Sequence, residues 1–301
     1  MRMLLFGASG QLGWELQRAL APLGPVTALD RAACDVADAA ALRHALRAQA
    51  ADVIVNASAL TAVDRAETER ELALRINAQA PQLMAEEAAQ RGAWLVHYST
   101  DYVFDGRGER PWTEDDAPAP INAYGESKLA GEQAIQRLMQ PAGGRYLILR
   151  TSWVYAARGG NFARTMLRLA AERERLSVVA DQCGAPTGAE LLADVSAHLL
   201  RAVHATPARR GGLYHVAAAG ETSWFEYARW LLARASGMGW PLRAGADAVA
   251  PIATRDYPTP APRPLNSRLD CRRVQADFDL YLPPWQQGVE RMLAELSRPG
   301  A

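Results

Sequence analysis

The sequence predicts an α/β fold: a doubly wound parallel sheet with helices on both faces, followed by a smaller C-terminal α/β unit. Two observations carry this reading. Short apolar runs alternate with helix-forming segments over the first half of the chain, as in consecutive β-α-β units. Several of these runs end in a glycine, an acid or a hydroxyl residue, at the carboxyl ends where such sheets meet their ligands. The division is expected at residues 1–152 for the first unit, which later segments can rejoin, and 153–301 for the second.

Met3 to Phe6 reads as a buried strand, and Gly7, Gly10 and Gly13 follow at three-residue spacing. Ser9, Gln11 and Leu12 lie among them, and a helix opens through Trp14, Leu16 and Leu20. A glycine turn between strand and helix lets backbone amides and a helix N-terminus approach a pyrophosphate, the Rossmann-type arrangement. The spacing is G-x-x-G-x-x-G rather than the more familiar G-x-G-x-x-G. Pro25 to Asp30 is the second strand; Asp30 suits the ribose hydroxyls of NADH, whereas Arg31 suits the 2′-phosphate of NADPH. Both cofactors stay open. Asp35 and Val36 fall where an adenine is flanked, or where a helix is capped before Asp38 and its run of alanines. Ala51 to Ser58 is the third strand, and Ala57, Ser58, Ala59 and Thr61 are small enough for close approach of a cofactor or of the chain itself. A helical region spans about 65–91, interrupted near Pro81, with Asn77 inside it either buried or exposed.

Ala93 to Thr100 is the fourth strand and ends in two hydroxyl residues. Beyond it Tyr124 and Lys128 stand four apart in a helical segment, which puts a phenol and an ammonium on one face. An ammonium near a phenol favours the phenolate and makes the tyrosine a better proton donor, and a strand-end hydroxyl can share the oxygen that receives the proton. That suits reduction of a carbonyl. Arg145 to Val154 is the fifth strand. The pattern then loosens: helices are expected at 161–174, 189–204, 223–235 and 285–296, strands at 177–180 and 212–218, and an ordered proline-rich loop at 248–267.

Formal charge is balanced, 33 basic against 33 acidic side chains, which argues against a nucleic acid or an anionic membrane as partner. No apolar run reaches the roughly 18 residues a membrane helix needs. Three scattered cysteines, Cys34, Cys183 and Cys271, point to a reducing compartment, and a cytoplasmic protein is expected.

The glycine turn, YSTDYVFDG (98–106), NAYGESKLAGE (122–132) and RTSWVYA (150–156) together resemble the extended short-chain dehydrogenase/reductases. VNASALTAVDRAE, DQCGAPTGAELLAD and PRPLNSRLD extend the resemblance along nearly the whole chain, toward the members that reduce a 4-keto sugar nucleotide. It implies that the C4 ketone of dTDP-4-dehydro-β-L-rhamnose is reduced to dTDP-L-rhamnose, an activated sugar for cell-envelope polysaccharides. Tyr124 would give the proton, Lys128 would lower the phenol pKa and bind the nicotinamide ribose, Thr100 would hold the sugar oxygen, and Tyr98 would line the cofactor site. Thr100, Asp101, Phe104, Trp153, Asn161 and Arg263 would meet the dTDP-sugar. In related 4,6-dehydratases Asp-Glu follows the threonine; here Asp101-Tyr102 follows, and elimination lacks its acid–base partner. A non-catalytic NADP-binding subunit, like the regulatory one of methionine adenosyltransferase, and an epimerase are the alternatives. Some members are homodimers with interfacial Mg²⁺, and Glu15, Glu190 and Glu295 fall at its acidic ligands, solvated helix faces being the other reading.

Overall fold

The computed structural model describes residues 1–206 and 211–297. Its first half builds Met3–Phe6 (β1), Gln11–Leu20 (α1), Val26–Leu29 (β2), Ala39–Ala48 (α2), Val53–Asn56 (β3), Val63–Thr68 (α3), Arg70–Leu74 (α4), Ala80–Arg91 (α5), Trp94–Thr100 (β4), Ala123–Met139 (α6) and Tyr146–Thr151 (β5). The second half adds Val154–Tyr155 (β6), Phe162–Glu172 (α7), Leu176–Val179 (β7), Cys183–Gly184 (β8), Thr187–Gly188 (β9), Ala189–Ala205 (α8) and Gly212–His215 (β10). Thr222–Ser223 (β11), Trp224–Gly237 (α9), Val249–Ile252 (β12), Arg272–Phe278 (α10) and Trp285–Leu296 (α11) complete it.

One six-stranded sheet, in the order β10-β5-β4-β3-β1-β2 and parallel throughout, organises the molecule. β1, β3, β4 and β5 are buried at every residue, which is why they read as continuous apolar runs. One face packs on α2, α5 and α6 through Leu42, Met84 and Ile135; the other packs on α1, α8 and α10 through Leu16, Leu199 and Val274. The doubly wound expectation is borne out. Chain order turns back between β1 and β3, the crevice where ligands enter such sheets. The second half is not wholly separate, because β10 pairs with β5 and α8 covers the first half's sheet. A third core, of Tyr155, Leu167, Tyr227, Trp285 and their neighbours, lies within α7, α9 and α11. The end of the predicted second unit, 298–301, lies outside the described residues.

Two expectations change. The long helical region does not break at Pro81, which sits in the first turn of α5, where its missing N–H costs nothing. It breaks at Glu69 and at a π-turn over Arg75–Gln79. The proline-rich segment is also not loop throughout, since Val249–Ile252 pairs in parallel with β7.

α6 is fastened to the sheet by an ion pair with almost no exposure: Arg150 of β5 donates to both carboxylate oxygens of Glu132, at 2.9 and 2.6 Å, and stacks over Phe104. Removing one partner of such a pair strands a buried charge. Glu132→Ala is therefore expected to lower unfolding free energy by about 3–5 kcal/mol in denaturant titrations.

Candidate active site

The glycine turn closes on itself and on the neighbouring strand. Gly7 has φ +83, a conformation side chains resist, and a Cβ there would come within 2.7 Å of Ser58 N. At Gly13 a Cβ would overlap the carbonyl of Gly7. α1 therefore starts tight against β1 with Gly10 as its N-cap and no side chain satisfying its first amides. Ser9 and Gly10 are exposed, and Gln11 and Leu12 half-buried, at that helix end. This donor set fits the pyrophosphate of a dinucleotide. Asp30, at the end of β2, accepts from Ala33 N, and Arg31 reaches Asp35 at 3.3 Å. Asp38 takes the helix cap, accepting from Ala40 N and Ala41 N. Val36 packs in the core with Cys34. Ala57, Ser58 and Ala59 are half-buried beyond β3, and Thr61 is exposed.

Asn77, left open by the sequence, is fully buried and holds Leu60 by both its N–H and its C=O, while donating to Ser127 Oγ at 3.0 Å. It ties α6 to the loop that leaves β3. The N-cap of α6 is Asn122, which accepts from Gly125 N and donates to Pro262 O. Gly125 and Gly131 let the helix backbone touch the carbonyls of Tyr102 and Asn77, where a Cβ would overlap them.

This seating brings Thr100, Asp101, Tyr124 and Lys128 together at the carboxyl end of β4. Thr100 Oγ1 donates to Asp101 Oδ1 at 3.1 Å and accepts from Tyr102 N. The Tyr124 phenol lies close enough for that hydroxyl to act on its acidity. Burial pushes that phenol up to about 12; Thr100 pulls it back and Asp101 raises it further. Burial likewise lifts Asp101 to about 7, against the hydroxyls of Ser267 and Thr100. Lys128 is drawn down to about 8 by desolvation, opposed by Glu132. Its Nζ donates to Tyr98 O at 2.6 Å and lies 3.3 Å from His97 Nε2. The phenol and the amine thus share a helix face, yet the hydrogen-bond partners of Lys128 are on β4.

Other expected contacts fall elsewhere. Phe104 is corrected: it is fully buried, stacked on Trp112 with centroids 4.6 Å apart and edge-on to His215, so it supports the site from below. The Tyr98 side chain is also core, its hydroxyl on Ser196, and it offers the site only its carbonyl. Asn161 caps α7 and donates to Gln11 Oε1, bridging the glycine helix to the second half. Trp153, at φ +51, stacks on Trp224 at 3.5 Å, so one ring face is taken.

Arg263 donates to Asp64 at 2.8 Å on the wall of a cavity of about 680 Å³. Arg173, Arg175, Phe162, Trp224 and Gln182 line it too, and the sequence reading had not singled them out. The charge of Arg263 acts on Tyr102, whose ring lies edge-on to Tyr124, so Arg263 stands near the Tyr124 end of α6. One signal was available and unused: Lys128 is the only lysine in the sequence.

The acidic trio does not assemble. Glu15 and Glu295 line one cleft with Arg18 and Arg291, Glu190 lines a neighbouring one, and Glu15 pairs with Arg18 at 3.2 Å. Among the described residues no three His, Cys, Asp or Glu side chains could hold a metal ion together. Glu15 is already answered by Arg18 and the three carboxylates do not gather, so the residues of one chain do not fit Mg²⁺.

A family model, the RmlD substrate binding domain, matches residues 1–298. The dTDP-4-dehydrorhamnose reductase of Escherichia coli K12 is 52% identical over 300 residues, covering 98% of each chain. The solved dTDP-4-dehydrorhamnose reductase from Clostridium acetobutylicum superposes with a TM-score of 0.88 at 33% identity, covering 99% of this chain and 100% of that one. The Bacillus anthracis enzyme of that name, solved in complex with NADP, gives 0.85 at 36% identity, with 98% and 99% covered. With fold, glycine turn and catalytic-end hydroxyls in place, and with the match running almost end to end, the chain belongs to the RmlD substrate-binding-domain family.

Proposed function

We propose that this protein reduces the C4 ketone of dTDP-4-dehydro-β-L-rhamnose to dTDP-L-rhamnose. The observation that carries the reading is the grouping of Thr100, Tyr124 and Lys128 beside the arginine-lined cavity, at the same sheet edge as the glycine turn. NADPH or NADH supplies the hydride when bound. The uncapped first turn of α1 holds the pyrophosphate, Asp30 and Arg31 meet the adenosine ribose, and Lys128 its nicotinamide counterpart. As the C4 oxygen gains charge, Tyr124 gives it the phenolic proton and Thr100 shares the same oxygen. Arg263, with Arg173 and Arg175, suits the diphosphate, since guanidinium matches phosphate oxygens. Asp101 and Trp153 border the sugar. Tyr102 follows Asp101, so the second carboxylate that water elimination requires is missing and reduction is the reaction left. The reading places the protein in the cytoplasm, where reduced nicotinamide is supplied. A homodimer is part of it, and Mg²⁺ enters only if a second copy adds carboxylates to those of Glu15, Glu190 and Glu295.

Supplying the 4-keto sugar nucleotide with NADPH and then NADH should give loss of nicotinamide absorbance; no oxidation of either would sink the proposal. Tyr124→Phe is expected to cut kcat by about 10²–10⁴-fold with cofactor affinity nearly unchanged, and near-normal turnover would remove Tyr124 as the acid. Ionised Asp101 raises the Tyr124 phenol, so the reductive rate should fall as pH rises through about 7. Asp101→Asn should flatten that limb in a pH–rate profile; a wild-type fall persisting in the variant would contradict it. Arg31→Ala should weaken NADPH more than NADH in binding titrations, and equal weakening would discard its 2′-phosphate role.

A further inference from the structure

Asn56 and His97 are polar residues buried inside the sheet, and the chemistry above uses neither. Their hydrogen bonds fix more than their own positions. The backbone N–H of Ser58, 3.1 Å away, can only donate, so the Asn56 atom facing it is the carbonyl oxygen, which also accepts the Ser58 hydroxyl at 2.8 Å. The amide nitrogen of Asn56 therefore faces His97 Nδ1, at 3.1 Å, and donates to it. A neutral imidazole that accepts at Nδ1 carries its proton on Nε2. Desolvation and the nearby Lys128 charge both keep the ring neutral. The Nε2–H thus points at Lys128 Nζ, 3.3 Å away.

Counting donors separates the two forms of the lysine. As an amine, Lys128 gives one N–H to the Tyr98 carbonyl and accepts His97 Nε2–H on its lone pair. As an ammonium it has no lone pair, and two donors face each other. Moving the imidazole proton to Nδ1 only transfers the conflict to Asn56. One donor–donor contact remains either way, in a site too buried to ignore it.

We propose that His97, oriented by Asn56, is a positioning residue for Lys128: it presents an N–H to the lysine and favours the neutral amine over the ammonium. Burial of Lys128 acts in the same direction. The opposing charge is Glu132 on its own helix, which Arg150 of β5 binds through both oxygens. Asp101, from the turn after β4, acts on Tyr124, and Asn56 on β3 is uncharged. On the reductase reading, the consequence is for the charge on the helix face that Lys128 shares with Tyr124: the more of the lysine that is held as amine, the less an ammonium there favours the phenolate. The hydrogen-bond arrangement does not depend on that reading.

Because Lys128 is the only lysine, full-length protein grown on isotope-labelled lysine gives a single side-chain resonance to titrate without substrate. Expected are a midpoint near 8, below the ordinary 10.5, and, in histidine-labelled protein, a His97 ring protonated at Nε2 and bare at Nδ1. Asn56→Asp keeps the acceptor for Ser58 but turns another toward Nδ1–H, so the ring offers Lys128 a bare Nε2. Proton affinity of Lys128 should then rise by about tenfold or more. Asn56→Ala adds no charge and frees the tautomer, so it should raise the midpoint by less. A wild-type ring protonated at Nδ1, a wild-type lysine titrating at its ordinary value, or no change in Asn56→Ala would overturn the proposal. Normal titration with no sugar turnover would count against the reductase reading alone.

Discussion

The backbone of α6 has to lie in contact with its neighbours, and Thr100, Tyr124 and Lys128 come together because it does. Two positions on that helix lack a side chain, Gly125 beneath the Tyr102 carbonyl and Gly131 beneath that of Asn77. The buried Glu132–Arg150 pair draws the middle of the helix onto β5, and Asn77 holds Ser127 from the opposite side. Tyr124 and Lys128 are then delivered to the end of β4 by a rigid element rather than by a loop. On the proposed reaction, rigid delivery matters, since a general acid works only within hydrogen-bond reach of its target.

The second half of the chain is anchored on the same frame by polar contacts. Asn161 reaches across to Gln11, Pro262 accepts from Asn122, and Arg263 pairs with Asp64. Each joins a residue of the later chain to the glycine turn, to the N-cap of α6 or to α3. The arginine-lined cavity therefore has a wall that depends on both halves, where Arg263 meets Asp64. Its aromatic wall is held in a similar way: Gln182 accepts from the indole of Trp224, which stacks on Trp153, and donates to Thr254.

Much of this was legible in the sequence, for physical reasons. Strands buried on both faces read as mainly apolar runs, so β1, β3, β4 and β5 were visible, and the glycine spacing marked the turn. The pair Tyr124 and Lys128 followed from helical periodicity. Partnering was less legible. Phe104 and Tyr98 look like ligand contacts beside a motif, but a side chain's direction is set by the packing around it, here Trp112 and Ser196. Asn56 and His97 were hidden inside apolar runs, because a lone polar residue in a strand does not announce its partner 41 positions away. The lining arginines of the cavity are among 32 in the chain, and composition cannot choose between them.

The sixth strand has a consequence for how the protein is made. β10 comes from residues 212–215 and lies along β5, yet the rest of the sheet is complete by residue 151. During synthesis, about 60 residues must leave the ribosome after β5 before its open edge is covered, a delay of seconds at ordinary elongation rates. Through that interval the nascent chain shows an open edge strand with Tyr146, Leu147, Ile148 and Leu149 in a row, the kind that pairs with other chains. A ribosome stalled between the two halves would thus release an aggregation-prone fragment, not a working nucleotide-binding unit.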